Sequence, residues 1–203
     1  MYSLEQLLYL GLFSMKTKAR ILDAALALFN QQGTAAVSTN HIAEAAGISP
    51  GNLYYHYHNK EEIIRAIFER LFAEWDVAFD LPVDRMPTLE DVQGLVKTNF
   101  TIMSTYRFIY REIIALLLQD ETLRERYILV RQRGYEGFRQ IVAALAQTGV
   151  LIGLSDPDRV ERLADLCWLI SEFWIPTLEV SGAAVDELQL QRGTALMLYA
   201  LQP

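Results

Sequence analysis

The densest group of hydrogen-bonding side chains in this 203-residue chain lies between residues 38 and 60, which read STNHIAEAAGISPGNLYYHYHNK. Hydroxyls, amides, imidazoles and a lysine are groups with which proteins contact nucleotide bases and phosphates. Metal binding is the alternative for its three histidines, His41, His56 and His58. No cysteine lies near them, and His56 and His58, two positions apart at a predicted helix end, point to different sides. The sequence therefore predicts no metal and no cofactor, and it favours contact with nucleic acid.

Enzyme chemistry has no recognisable motif in this chain. There is no G-x-S-x-G nucleophile elbow, phosphate-binding loop, dinucleotide fingerprint or metal-spaced His/Glu pair. The single cysteine, Cys167, lies in an apolar stripe, where a thiol is a poor nucleophile. One cysteine also precludes an internal disulfide framework and is typical of a reducing compartment. We therefore expect a cytoplasmic protein that is not an enzyme.

Two short helices joined by a tight turn are predicted to position the polar side chains of residues 38–60. The first helix covers residues 39–46, and its small Ala43 allows the second helix to cross closely. Gly47 suits the left-handed backbone of the turn. Ser49 then serves as an N-cap, and Pro50 occupies the first position of the second helix.

The second helix has one packed side and one polar side. Its spacing places Leu53 and Tyr57 against the first helix. It places outward a row of polar and aromatic residues: Asn52, Tyr54, Tyr55 and His56. Because a helix that enters the major groove of DNA needs hydrogen-bonding side chains near its N-terminus, this pattern indicates a recognition helix.

Residues 16–65 resemble the DNA-binding head of the TetR family of bacterial transcriptional regulators. The resemblance rests on an amphipathic helix ending in F-x-x-x-G, from Phe29 to Gly33, and on the run IAEAAGISPGNLYYHYxNKEE that follows. It covers about a quarter of the chain and implies double-stranded operator DNA as the partner. The residues that it implies at the DNA are Thr39, Asn40, Pro50, Gly51, Asn52, Tyr54, Tyr55, His56 and Lys60.

The resemblance also implies which part of the DNA each of these residues would contact. Those at the start of the first motif helix would contact phosphate and a base, those at the start of the second would face bases, and Tyr54, His56 and Lys60 would hold the DNA backbone. One departure is that Pro50 and Gly51 stand where many relatives carry hydrogen-bonding side chains. Asn52, Tyr55 and the shape of the DNA are then expected to supply more of the specificity.

Charge is distributed unevenly along the chain, whose net charge is −7. Residues 1–65 hold five basic and five acidic side chains, whereas the remainder holds 13 basic and 20 acidic ones. The acidity therefore lies wholly outside the motif. A neutral segment can bind DNA when its few cations and backbone amides face the phosphates.

Helical apolar spacing continues through the rest of the chain and predicts an all-α protein. Asn59 and Glu62 have the form of a capping box for a helix over about 59–79, and Pro82 and Pro87 mark a loop after it. We predict a three-helix helix-turn-helix head over 15–65 and a larger helical-bundle body for ligand binding and dimerisation over 66–203. The predicted body helices span roughly 88–104, 106–118, 120–148, 156–181 and 185–201.

The opening segment, residues 1–14, is apolar but lacks a basic beginning and carries Glu5, so a signal peptide is not expected. It is either an extension before a start at Met15 or a short extra helix. No membrane partner is expected, because Glu172 and Glu179 interrupt the most apolar late stretch.

The body is rich in aromatic residues, and the resemblance implies a cavity among its middle helices. For any one of these aromatic residues, burial in the core is the simplest explanation. Together they suggest a small apolar or aromatic effector, because ligand pockets are mostly apolar with a few polar anchors. We predict that the effector contacts Trp75, Phe100, Phe108 and Trp168.

The last two predicted helices are apolar on two sides, which indicates two neighbours for each. The alternative is burial within one chain, but we predict a homodimer formed by helices 156–181 and 185–201. The sequence thus predicts a repressor released from a near-palindromic operator by its effector, with activation left open. The alternative is a dimeric helical ligand-binding module without specific DNA binding.

Overall fold

The computed structural model describes residues 4–79, 85–151 and 156–201, with side chains from residue 14 onward. Nine α-helices and no strand occupy these ranges, which confirms the all-α prediction. The helices are α1 Leu4–Gln32, α2 Thr39–Ala45, α3 Pro50–His56, α4 Lys60–Ala78, α5 Leu89–Thr105, α6 Arg107–Gln119, α7 Glu121–Gln147, α8 Pro157–Val180 and α9 Glu187–Ala200. Pro82, predicted to mark a loop, lies outside the described residues. None of the helices in these ranges is long and apolar enough to cross a membrane.

The chain divides into two compact units, an N-terminal unit, Met1–Arg70, and a C-terminal unit, Leu71–Pro203. The division falls within α4, which supplies residues to both. Helix α1 begins at Leu4 and continues without a break to Gln32. The backbone of residues 4–14 therefore belongs to the first helix and does not form a separate short one.

Local capping explains where the helices of the N-terminal unit begin and end. Gly33 ends α1 with φ +78° and Gly47 follows α2 with φ +64°, so both adopt the left-handed conformation that glycine favours. The Ser49 side chain accepts a hydrogen bond from the Asn52 amide, and Pro50 is the first residue of α3, as predicted. A capping box between Ser38 and His41, which had not been predicted, starts α2.

The predicted capping box of α4 forms only in part. The Asn59 side chain accepts a hydrogen bond from the Glu62 amide at 2.8 Å. The Glu62 carboxylate, however, accepts from the backbone amide of His58, one residue before the expected donor. The helix accordingly begins at Lys60 with its first turn held by both contacts.

The core of the N-terminal unit is built from the inward faces of its four helical segments. Ile42 and Ala43 of α2 are fully buried, as is Leu53 of α3, and Tyr57 is nearly so. The apolar stripe of α1 and the first turns of α4 complete it with Ile21, Ala25, Phe29, Ile63 and Ile67. The burial of Leu53 and Tyr57 leaves the opposite side of α3 in solvent.

Helix α8 contacts α5, α6, α7 and α9 within the C-terminal unit. Gly193 of α9 permits close packing, since a Cβ there would lie 2.6 Å from the indole of Trp174 on α8. The other side of α8 is exposed although it is apolar, with Leu166, Leu169 and Phe173 about half accessible to solvent.

Candidate functional sites

The first candidate site is the solvent-facing surface of α3 and the start of α2. Asn40, Pro50, Gly51, Asn52, Tyr54 and Tyr55 are exposed, and Thr39, His56 and Lys60 are half-buried. The Tyr55 side chain is 81% exposed, which no apolar packing explains. The structure therefore brings all the residues predicted to contact DNA to the surface of one unit.

A hydrogen bond joins the two helices of the motif at this surface. The hydroxyls of Thr39 and Tyr54 lie 3.1 Å apart, so the start of α2 and the middle of α3 are linked on their exposed side. The Tyr55 and His56 rings meet edge to face with centroids 5.1 Å apart. These contacts limit the rotamers of side chains that would otherwise be free in solvent.

Lys60, which was predicted to contact the DNA backbone, is held by hydrogen bonds within the N-terminal unit. Its ammonium donates to the carbonyl oxygens of Thr34 at 2.7 Å and Val37 at 3.0 Å. An ammonium has three N–H groups, so two of them hold the segment before α2 in place. In this structure Lys60 ties α4 to that segment.

Arg20 was not singled out from the sequence, yet it secures the turn of the motif. Its guanidinium donates to the carbonyl oxygens of Ala46 at 2.5 Å and Gly47 at 3.4 Å. A Cβ at Gly47 would lie 3.2 Å from the same guanidinium group. Because Arg20 and the turn are separated by a whole helix, no local pattern could have revealed the contact.

The titration of His56 in the second motif helix is shifted. Burial, and then the charge of Lys18, lowers its pKa below the ordinary value of 6.5. A neutral imidazole predominates near pH 7 and can donate one hydrogen bond but supplies no charge. The surface can therefore contact DNA chiefly through hydroxyl, amide and backbone groups, with cations nearby on α1.

The second candidate site is a cavity of about 530 Å³ inside the C-terminal unit. Residues of α4 to α9 line it, and most are apolar, including Val96, Met103, Val130, Ile141 and Met197. Two glycines of α7, Gly134 and Gly137, also line it. A Cβ at Gly137 would meet no described atom within 4 Å, so the absence of a side chain there leaves room in the cavity.

Charged groups at this cavity occur in pairs. Arg131 donates two hydrogen bonds to the Glu172 carboxylate, at 2.6 and 2.8 Å. Arg133 pairs with Asp76. The buried Asn99 amide, which also lines the cavity, donates to the Ser171 hydroxyl at 2.7 Å.

Two of the four residues predicted to contact an effector line this cavity. They are Trp75 of α4 and Trp168 of α8. Phe100 and Phe108 are fully buried but are not among its lining residues. Phe100 instead packs towards α9, where its ring end would lie 3.1 Å from a Cβ at Gly193. Tyr110, which the sequence analysis did not select, also lines the cavity. The two glycines three positions apart in α7 were the signal in the sequence that could have indicated space there.

The tyrosine and cysteine side chains that line the cavity are held in their uncharged forms. Burial raises the pKa of Tyr110 well above its usual range, and the neighbouring Tyr127 and Glu172 add to the effect. Burial and Glu172 raise the pKa of Tyr127 to about 12. Burial likewise raises the pKa of the Cys167 thiol to about 12, so it is not a nucleophile near neutral pH.

The N-terminal unit contains a helix-turn-helix with an exposed recognition helix, and the second unit is a helical bundle with a cavity. This combination indicates a DNA-binding regulator. A family model described as "Bacterial regulatory proteins, tetR family" matches residues 21–67, and one described as "Bacterial transcriptional repressor" matches residues 70–203. The chain belongs to the TetR family of transcriptional regulators, and it is not an enzyme.

Individual relatives agree with this assignment. The chain is 28% identical to the transcriptional repressor KstR2 of Rhodococcus jostii over 171 residues, covering 78% of this chain and 80% of that one. It is 41% identical to the regulator AcrR of Shigella flexneri over 108 residues, half of this chain and 49% of that one. The crystal structure of a TetR-family regulator from Marinobacter aquaeolei is 35% identical, covers 90% of this chain and 88% of that one, and has a TM-score of 0.81.

Proposed function

We propose that this regulator is a repressor that leaves a near-palindromic operator when a small apolar or aromatic effector binds in the cavity of the C-terminal unit. The observation that carries the proposal is the cavity itself, with Trp75 in its wall. Trp75 lies on α4, the helix that begins at Lys60 beside the DNA-binding motif. A ligand that displaces Trp75 therefore acts on the helix that the motif is tied to through the Lys60 ammonium.

We propose that the regulator works as a homodimer through α8 and α9, as regulators of this family typically dimerise. Both helices have an apolar side that the single chain leaves exposed. On α8 it includes Leu169 and Phe173, and on α9 it includes Leu188, Leu196 and Tyr199. A two-fold axis would pair these sides in a four-helix interface and remove them from water.

The proposed mechanism depends on spacing. Two recognition helices must lie about 34–36 Å apart to enter successive major grooves on one side of DNA. An effector that favours a dimer with a different spacing releases the operator. It needs to bind that state only a few kcal/mol more tightly, since occupancy follows the difference in affinity between the two states.

The test is a selection of random genomic fragments by the purified full-length protein at near-physiological salt. We expect a short inverted repeat to be enriched, and an effector to lower the affinity for that repeat. Asn52→Ala should relax base preference, and Tyr54→Phe should weaken binding with little change in preference. Binding that is independent of sequence, from protein shown to carry no ligand, would contradict the proposal and favour a helical ligand-binding module.

Gly137→Leu is the corresponding test of the effector site. A leucine there projects into space that no described atom occupies within 4 Å of its Cβ, so the fold should tolerate it. We expect this variant to repress normally and to stay on the operator when effector is added. Normal release by the same effector would exclude this cavity as the site.

A further inference from the structure

The cavity of the C-terminal unit is lined by hydrogen-bond donors that lack partners. The indole Nε1 atoms of Trp75 and Trp168 and the hydroxyl of Tyr110 are buried, and none has a hydrogen-bond partner in the part of the chain that the structure describes. All three residues line the cavity. A further buried atom of this kind, the Gln189 Oε1, is an acceptor and does not belong to the cavity lining.

Comparable groups elsewhere in the same unit are paired. The indole of Trp174 donates to the carbonyl oxygen of Gln189 at 2.9 Å, and the hydroxyl of Tyr106 donates to Glu74. The hydroxyl of Tyr135 donates to Asp165 at 2.5 Å. Leaving a buried donor unpaired costs free energy, so a concentration of such donors at one cavity points to an occupant that accepts hydrogen bonds.

The cavity offers no unbalanced charge to such an occupant. Its charged lining residues are Asp76, Arg131, Arg133 and Glu172, and each arginine is paired with one of the carboxylates. An ionic ligand would have to compete with these pairs or lose its hydration without compensation. Among its other polar side chains, Asn99 donates to Ser171, and Gln140 donates to Glu136.

We propose that the effector is an uncharged, mostly apolar molecule carrying carbonyl or ether oxygens, which accept hydrogen bonds from the indoles of Trp75 and Trp168 and from the hydroxyl of Tyr110. This inference rests on the proposed function, because it takes the cavity as the effector site. Indole N–H groups can only donate, so they select acceptors and reject ammonium groups. The Tyr110 hydroxyl is protonated at physiological pH, as any tyrosine with an ordinary pKa of about 10 is, and it is therefore available as a donor.

Four probes that share two phenyl rings on one carbon test the chemistry of the occupant. They are benzophenone, a neutral ketone; diphenylmethane, a hydrocarbon; diphenylacetate, an anion; and benzhydrylammonium, a cation. Titration calorimetry of the full-length protein measures each dissociation constant. We expect benzophenone to bind about tenfold more tightly than diphenylmethane, the gain of one or two hydrogen bonds, and more tightly than either ion.

Variants that remove single donors locate the contacts. Tyr110→Phe, Trp75→Phe and Trp168→Phe should each be compared. Tyr135→Phe is the matched control, because the Tyr135 hydroxyl donates to Asp165 and Tyr135 does not line the cavity. Tyr110→Phe removes one oxygen atom. We expect it to weaken the binding of benzophenone about two- to tenfold and to leave the affinity for diphenylmethane unchanged. Its thermal unfolding temperature should stay the same or rise, since no described partner is lost. A clear fall would mean that the hydroxyl has a protein partner and would overturn the premise.

The outcomes separate this inference from the proposed function. Equal binding of ketone and hydrocarbon, tightest binding of an ion, or no binding of any probe would overturn the inference. If a hydrocarbon or an ion released the selected operator, the inference about the ligand class would be overturned, but the proposal of effector-controlled repression would stand. Conversely, ketone binding that depends on Tyr110 but never alters operator affinity would support the ligand class and contradict the proposed regulation.

Discussion

The two units of the molecule carry their candidate sites in opposite ways. The site of the N-terminal unit is a surface, where Tyr55 is 81% exposed and the supporting side chains Arg20 and Lys60 are bonded to backbone carbonyls. The site of the C-terminal unit is a cavity, where the donors of Trp75, Trp168 and Tyr110 have no partner among the described residues. At the first site, the supporting side chains are hydrogen-bonded within the protein and the other side chains face solvent. At the second site, three hydrogen-bond donors lack a partner among the described residues.

Under the proposed function, this difference follows from what each site would bind. DNA is a large polyanion that contacts the protein at its surface. The side chains of that surface must therefore be held in position before DNA binds. A small molecule can complete the hydrogen bonding of a cavity, and its removal leaves unpaired groups behind. Under the proposed function, the contacts that hold the protein rigid lie where it would read DNA, and the unpaired donors lie where the effector would bind.

The largest expected effect comes from weakening the proposed dimer interface of the C-terminal unit while the DNA-binding surface is left unchanged. Phe173→Asp places a charge in the proposed dimer interface, and we expect dimerisation to weaken by at least about 2 kcal/mol, roughly 30-fold. Operator affinity should fall with it. Sedimentation velocity over a range of concentrations measures the change. Leu118→Asp, at an exposed apolar position of α6, is the matched control and should leave dimerisation unchanged.

A pair of glycine substitutions in the C-terminal unit tests where its packing is full and where it is open. Gly193→Ala places a Cβ 2.6 Å from the Trp174 indole, and we expect it to lower the free energy of unfolding by about 1–3 kcal/mol. Gly137→Ala meets no described atom within 4 Å and should raise it by up to about 1 kcal/mol, because alanine favours helix. Urea denaturation measures both, and effects of the same sign would contradict the assignment of open space to Gly137.

Lys60→Met tests whether the hydrogen bonds of the Lys60 ammonium stabilise the N-terminal unit. Losing the two hydrogen bonds to Thr34 and Val37 should lower the free energy of unfolding by about 1–2 kcal/mol, because the donor is charged. The salt dependence of operator binding should barely change. If Lys60 instead neutralises a phosphate in the complex, the slope of log K against log salt will fall in magnitude by about 0.9, as a lost phosphate contact requires.

The smallest effect concerns the pH dependence of the DNA-binding surface. The pKa of His56 is lowered in the folded protein by burial and then by Lys18, so the unfolded chain binds the proton first as pH falls. Stability from this group is fully present above pH 6.5 and is lost as pH falls through the lowered value. His56→Gln should therefore lose slightly less thermal stability than the wild type between pH 7.5 and 5.5. His58→Gln, at an exposed neighbouring position, is the control, and an equal loss in both variants would contradict the assignment.

The parts of the sites that sequence reasoning predicted are those held by short-range contacts. The predicted turn at Gly47 and the predicted cap at Ser49 are both present, because each depends on neighbours within a few positions. The alternation of Leu53 and Tyr57 with the outward side chains of α3 also follows from helical periodicity alone. The placement of Glu62 was wrong by one residue, since a flexible carboxylate can reach either of two adjacent amides.

The sequence by itself determined the all-α class, the position of the recognition helix and the apolar sides of α8, because these depend on residue type and spacing within one element. Only the tertiary structure decided that Lys60 and Arg20 bond to distant carbonyls, that Phe100 and Phe108 lie away from the cavity, and that Tyr110 lies at it. The cavity wall comes from α4 to α9, helices far apart in the chain. Which of many buried aromatic residues border it is settled by how those helices pack, and no local pattern contains that information.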